Sequence, residues 1–309
     1  MAAKTQSRTR KKFPFYIVVF LAPATIIYTI FMILPLIDSL RLSFLSNDNN
    51  QFVGLQNYVT LLTDPLWKDQ FWNAFKNNVV FFIIHMIVQN SIGLLLAAML
   101  TMRQLRFRSG YRTLIFMPTM LSVVIIGFIW KLILSPLWGI SESFLAFFGL
   151  EQFFQPWLGL ESTALITLAL ISVWQFIGIP MLLFYAALIG VPYELEEAAY
   201  VDGANAWTTF WRVKFPLILP TVGIVAILTF VGNFNAFDLI YTTQGALAGP
   251  NFSTDIMGTF FYRTFFGQQL QLGNQAMGAT IAAMMLLIIL AGVIVYLFGW
   301  QRRITTYEV

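Results

Sequence analysis

The sequence predicts an all-α membrane protein of six transmembrane helices, and three observations carry that prediction. Of its 309 residues, 58% are hydrophobic and 10% are charged, against about 25% charged in an ordinary soluble domain. Mean hydropathy is +0.75. Six apolar runs, 15–37, 79–100, 113–134, 163–189, 217–240 and 279–298, reach the roughly 20 residues that a helix needs to cross a bilayer. Such a chain cannot cover a water-facing surface, so lipid is its solvent. Helices are expected because each satisfies its own backbone groups in hydrocarbon.

Composition also excludes chemistry. There are no cysteines, so disulfides, zinc–thiolate sites and Cys nucleophiles are ruled out. One histidine leaves little for a multi-His metal site. A pI near 9.3 would suit nucleic acid, but the bases lie at span ends, where topology accounts for them. No nucleic-acid partner is expected.

The chain starts with a basic tail, 1–14, holding Lys4, Arg8, Arg10, Lys11 and Lys12. The first apolar run could follow this tail as a signal peptide. It is too long for that, and no small-residue cleavage site follows promptly, so a retained span is expected. Prolines 23, 35, 118, 180 and 220 interrupt the spans. A bundle tolerates such kinks because neighbours satisfy the freed carbonyls.

The next segment contains "DPLWKDQFWNAFK". Asp64 can cap a helix there, and Pro65 suits its first turn. Trp67, Phe71, Trp72 and Phe75 share one face, which reads as an aromatic helix lying in the membrane interface. A docking surface is the other reading. Residues 15–75 thus form the first span and an external segment with its interfacial helix.

In the second span His85 and Gln89 are four residues apart. They read as interhelical hydrogen-bonding glue or as a proton relay. Lys131 and Asp238 lie near span ends and can snorkel to the interface. Intramembrane charge is otherwise sparse, and an ion-driven carrier usually needs more.

Orientation follows from lysine and arginine near the span ends. The N-terminal tail, the connection "RQLRFRSGYR" with Arg103, Arg106, Arg108 and Arg112, and the tail 301–309 with Arg302 and Arg303 share one side. The connections 136–162 and 241–278 hold one base, Arg263. Both termini are therefore expected in the cytoplasm, and the segment 191–216 with them.

That segment reads "VPYELEEAAYVDGANAWTTFWRVKFP". Pro192 can open a helix whose first turns hold Glu194, Glu196 and Glu197, where carboxylates complement the positive end of the helix dipole. Gly203 can end it in a left-handed conformation. Asn205 can cap a second helix carrying Trp207, Phe210 and Trp211, and Pro216 marks the next span. An amphipathic pair lying on lipid is one reading. However, the inner leaflet is anionic and attracts bases, while 194–202 holds four acids and no base. A soluble protein with a basic-rimmed cleft is the better partner.

Motifs of self-contained catalysis are missing. There is no G-x-x-x-x-G-K-[ST] phosphate loop, no H-E-x-x-H and no G-x-S-x-G, so ATP is not hydrolysed by a phosphate loop of this chain.

At this point a resemblance enters. Glu197-Ala198-Ala199, three residues, Gly203, nine residues and then Val213-Lys214-Phe215-Pro216 resemble the EAA loop of permease subunits in binding-protein-dependent ABC importers. Val213 and Phe215 depart mildly from the family's Ile and Leu. "FVGLQNYVTLLTDPLWKDQFWNAFKNNVVF" and "FLAPATIIYTIFMILPLIDSLRLSF" are similar to the first external segment and first span of the carbohydrate-uptake branch, the maltose and glycerol-phosphate type. The resemblance covers nearly the whole chain. It implies a permease core over 76–300 with a coupling loop at 191–216. It also implies docking of an ATPase on Glu197, Ala198, Ala199, Asp202, Gly203 and Ala204. The implied partners are a second permease subunit, usually a different chain, two ABC ATPase subunits and an external solute-binding protein. ATP and Mg would sit on the ATPase, with no cofactor on this chain. The implied location is a bacterial or archaeal plasma membrane.

A polar path needs small and polar groups facing a bundle interior. In the fifth span Thr229, Gly232, Asn233 and Ala236 follow i, i+3, i+4, i+7 spacing and share a helical face, with Asn235 off it. A helix-packing seam would use the same residue types, so the residues alone leave both readings open. In maltose-type permeases the corresponding face lines the sugar site; here Gly232 replaces an aromatic and Ala236 an amide. The fourth span aligns similarly through Ser172, Gln175, Phe176 and Ile179, and the third offers Thr119 and Ser122 beside Pro118. The function expected is ATP-driven import of a sugar or sugar-like solute. An ion-coupled carrier acting without an ATPase is the alternative.

Overall fold

The computed structural model describes residues 15–48, 50–102, 105–268 and 272–303. The basic tail 1–14, Arg103 and most of the C-terminal tail lie outside the described residues.

Among the described residues the chain is built from helices, with one isolated bridge between Leu45 and Phe52. The long helices are α1 (Val18–Leu42), α3 (Pro65–Thr101), α11 (Leu219–Phe234) running into α12 (Asp238–Gln244), and α14 (Gln275–Trp300). Two bent pairs complete the bundle: α4 (Arg108–Met120) with α5 (Val123–Ile133) at 94°, and α7 (Glu161–Phe176) with α8 (Gly178–Ile189) at 44°. Counting each bent pair once gives six segments long and apolar enough to cross a bilayer. Shorter helices are α2 (Gln56–Thr63), α6 (Ser141–Phe147), α9 (Tyr193–Val201), α10 (Ala206–Thr209) and α13 (Met257–Phe266).

The aromatic segment departs from the sequence reading. Asp64 caps it as expected, accepting from the Leu66 N–H at 3.0 Å. Yet no break follows, and it forms the first turns of the 37-residue α3. It is the stem of a spanning helix, packed on one side through Phe71 while Trp72 stays 41% exposed. Phe71 and Ala74 pack with Leu61, Met257, Phe260, Met277 and Ile281, so α13 and α14 take the face that lipid was expected to cover. Asparagines on the same stem fix the loop before α13. Asn73 donates to the Phe252 carbonyl at 2.8 Å, and Asn77 to the carbonyls of Ser253 and Asp255 at 3.1 and 2.8 Å. Arg263 is also structural. Its guanidinium grips the buried Asp255 carboxylate through two bonds of 2.6 Å and Gln70 at 3.1 Å. A buried pair of this kind holds because both charges are matched and hydrogen-bonded.

The bends have local causes. Pro118 heads a tight turn, Met117–Met120, at which α4 stops. Thr119 donates to the Gln175 carbonyl at 2.8 Å, and Gln175 Nε2 donates to the Leu121 carbonyl at 3.1 Å. The α4–α5 corner is therefore fastened to α7 by groups that a straight span would not free. The fifth span is also interrupted: α11 ends at Phe234 and α12 begins at Asp238. A Cβ on Gly258 would lie 2.6 Å from the Ala236 carbonyl oxygen, so α13 packs directly on the unwound turn.

Candidate functional site

Two regions carry chemistry. The first is the acidic turn. Helix α9 starts after Pro192 and stops at Val201. Gly203 has φ +82°, the left-handed conformation that glycine adopts at little cost. The Ala204 N–H reaches the Ala199 carbonyl at 2.9 Å and the Gly203 N–H reaches Tyr200 at 3.0 Å, the paired bonds of a Schellman end. Asn205 Oδ1 accepts from the Thr208 N–H at 2.8 Å, capping α10, which continues through Phe210–Lys214 to Leu217.

The acids divide into two groups. Glu196 folds back to Lys214 at 2.7 Å and accepts from the Tyr200 hydroxyl at 3.3 Å. Desolvation, and then the Glu196 charge, raises the Tyr200 phenol above its ordinary value, so it remains a donor. Glu194, Glu197 and Asp202 stand exposed, as do Ala198 and Gly203, while Ala199 and Ala204 are half-buried. Val201 and Trp207 are 82% and 72% exposed. The face thus carries exposed carboxylates beside large apolar groups.

The second region is a cavity of about 420 Å³ bounded by α3, α5, α7, α8, α11 and the turn before α12. Ser172, Phe176, Ile179, Thr229, Gly232, Asn233 and Ala236 line it together. Gly232 does so from the helical face, and Ala236 from the unwound turn. Thr119, Ser122 and Gln175 do not. The Thr119 hydroxyl and the Gln175 Nε2 are taken by the corner clasp, and Ser122 is exposed at the start of α5.

Helix α3 supplies the opposite wall. A π-helical turn over His85–Gln89 sets His85 and Gln89 into the cavity; such turns often mark functional positions. His85 Nδ1 lies 2.8 Å from the Phe81 carbonyl, which can only accept, and Nε2 lies 3.0 Å from Ser172 Oγ. The imidazole therefore ties α3 to α7. Next to it Asn90 donates to the Thr229 hydroxyl at 3.2 Å. Asn233 donates to the Thr229 carbonyl at 2.7 Å, and Asn78 holds the Asn233 carbonyl at 2.9 Å. Gln89 Oε1 and Asn233 Oδ1 are buried and accept no hydrogen bond from the described residues.

Comparison with known proteins decides the family. Residues 89–303 match the binding-protein-dependent transport system inner membrane component. The chain belongs to this family. It is 31% identical to the probable ABC transporter permease protein YurN of Bacillus subtilis, over 88% of this chain and 91% of that one. It is also 31% identical to the probable starch degradation products transport system permease protein AmyD of Thermoanaerobacterium thermosulfurigenes, over 92% and 93%. The fold matches a chain of the bacterial alginate ABC transporter solved with an alginate pentasaccharide-bound periplasmic protein. The TM-score is 0.78 at 22% identity, over 96% of each chain.

As a transport-system inner membrane component the protein is multi-pass, and its cavity sits among the spanning helices. Several lining residues escape sequence reading. Asn235 is off the face by helical count, yet it lines the cavity because the helix ends one residue before it. Asp238, read as a span-end snorkel, belongs to the same lining. Asn78 and Asn90 were visible as amides beside and inside an apolar run, the residue types that glue spans together, but nothing in their spacing pointed to Asn233 or Thr229.

Proposed function

We propose that this chain is the permease subunit of an ATP-driven importer for a neutral, polyhydroxylated solute of sugar type. The observation that carries the solute class is the cavity lining. It offers amide, hydroxyl and imidazole groups among aromatic and aliphatic walls, with no lysine or arginine among the described residues that line it. Sugar sites need such groups, since each hydroxyl is both donor and acceptor, and the volume falls within the ~300–1,000 Å³ usual for small-molecule sites. Gln89 and Asn233 bring amide side chains to this lining for solute hydroxyls. Phe176 offers an aromatic face for sugar C–H groups. The relative named for starch degradation products supports this class. An anionic solute would lack a counter-charge and would meet Asp238.

In this reading the core 76–300 works with a second permease subunit and two ABC ATPase subunits, and 191–216 docks one of those ATPases through contacts that include Glu197, Ala198, Ala199, Asp202, Gly203 and Ala204. An external binding protein delivers the solute. ATP and Mg belong to the ATPase. Residues 1–14 and 301–309 flank the core in the cytoplasm. The test is competition for uptake by the intact complex: neutral oligosaccharides should compete and uronates of equal length should not. Preferred transport of the uronate would overturn the neutral assignment.

A further inference from the structure

A second cleft, of about 190 Å³, opens where α3 ends, α4 begins and α8 nears its last turn. It is lined by Leu100, Arg108, Ser109, Arg112 and Tyr185. Two arginines converge on it. Arg108 donates one N–H to the Met102 carbonyl, and the Arg112 guanidinium lies 5.7 Å from the centre of the Tyr185 ring. Among the described residues neither has a carboxylate within ion-pair distance. Bases that merely marked topology would point into solvent separately. These face one cleft with two hydroxyl side chains and a buried leucine floor.

We propose that this cleft binds a phosphate group. A carboxylate is satisfied by one guanidinium fork. A phosphate presents more acceptor oxygens and matches two forks plus hydroxyl donors. The phosphate can come from an anionic phospholipid headgroup or from free inorganic phosphate. The rim favours the lipid: Phe107, immediately before Arg108, is 82% exposed, an apolar group set beside the charged cleft. Basic pockets between spanning helices hold anionic headgroups in this way. Its position gives the site a consequence. Tyr185 lies on the last turns of α8, which ends at Ile189 and leads into α9. A bound phosphate braces the start of α4 against the helix that feeds the acidic turn.

The test uses the assembled transporter in nanodiscs of phosphatidylcholine with or without phosphatidylglycerol, and native mass spectrometry to count retained phosphatidylglycerol. Wild type should retain at least one more than Arg108→Gln/Arg112→Gln, and Arg112→Lys, which keeps the charge but loses the fork, should fall between the two. Ser109→Glu leaves both arginines in place but puts a negative charge in the cleft, and should lose it too. A parallel arm adds millimolar inorganic phosphate without anionic lipid. Thermal stabilisation of wild type but not of the double variant, with equal lipid counts, would assign the site to free phosphate. If neither arm separates wild type from the glutamine and glutamate variants, the phosphate site is refuted.

Discussion

Gly203 offers the sharpest perturbation of the acidic turn. At φ +82° a Cβ would meet nothing within 4 Å, so a substitution here acts through backbone conformation and not through a clash within the chain. Holding an L-residue in the left-handed region costs about 1–2 kcal/mol. That lowers the population of the native turn about 5–30-fold. Asparagine visits this region more readily than other side chains, and β-branched valine tolerates it least. Reverting to an extended φ would instead break the bonds to Ala199 and Tyr200 at 2.9 and 3.0 Å, each worth about 1 kcal/mol, and would redirect the entry to α10. The expected order for ATPase retention and for uptake per ATP hydrolysed is therefore Gly203, then Asn, then Ala, then Val. Co-purification in detergent followed by uptake in proteoliposomes reads both. All variants should still insert, since insertion depends on the apolar runs. If bulk against a partner decided the outcome, Ala would outperform Asn; that order, or a fully active Gly203→Val, would refute the backbone argument.

Three further outcomes follow from the geometry. Lys214→Glu sets a like charge against Glu196, 2.7 Å from its present partner, and should loosen the turn and weaken ATPase retention; adding Glu196→Lys should restore much of it, and no rescue would mean the pair does not fasten the turn. Asn233→Leu removes the cavity amide but leaves the Asn78 bond, which is made to the backbone, so the complex should assemble while KM for uptake rises about tenfold, the equivalent of one hydrogen bond of ~1.4 kcal/mol; failed assembly would favour a packing seam. An impermeant thiol reagent should label Asn251→Cys from outside and Gly110→Cys only after permeabilisation, both positions being exposed in a chain free of native cysteine; the reverse pattern would invert the proposed orientation.

What the sequence revealed and what it concealed divide along physical lines. The turn at 202–205 was legible because its determinants are local: a proline before α9, a left-handed glycine after it and an asparagine cap, all within one stretch. The apolar lengths of six segments were legible in the sequence, and the structure has four helices of spanning length and two bent pairs that reach it together. The stem at 65–78 was not legible, because the same aromatic face suits lipid or protein, and Phe260 and Ile281 decide between them from nearly 200 residues away. The break at 235–237 was also hidden. The apolar pattern runs on to Ile240, yet the helix stops at Phe234 and restarts at Asp238 where Gly258, far along the chain, packs against the Ala236 carbonyl. Thr119 stands beside a proline and Gln175 on a polar helical face, the pattern of lining groups, yet the Thr119 hydroxyl and the Gln175 Nε2 are taken by the corner they close.

The central claim is that the cavity serves ATP-driven import of a neutral sugar. It is tested most directly in proteoliposomes holding this permease, its partner permease, the ATPase and the loaded binding protein, by following labelled neutral oligosaccharide. Uptake should require ATP inside the cytoplasmic compartment, persist when proton and sodium gradients are collapsed, and stop when the ATPase is omitted. Uptake driven by an ion gradient without ATP or ATPase would contradict the account.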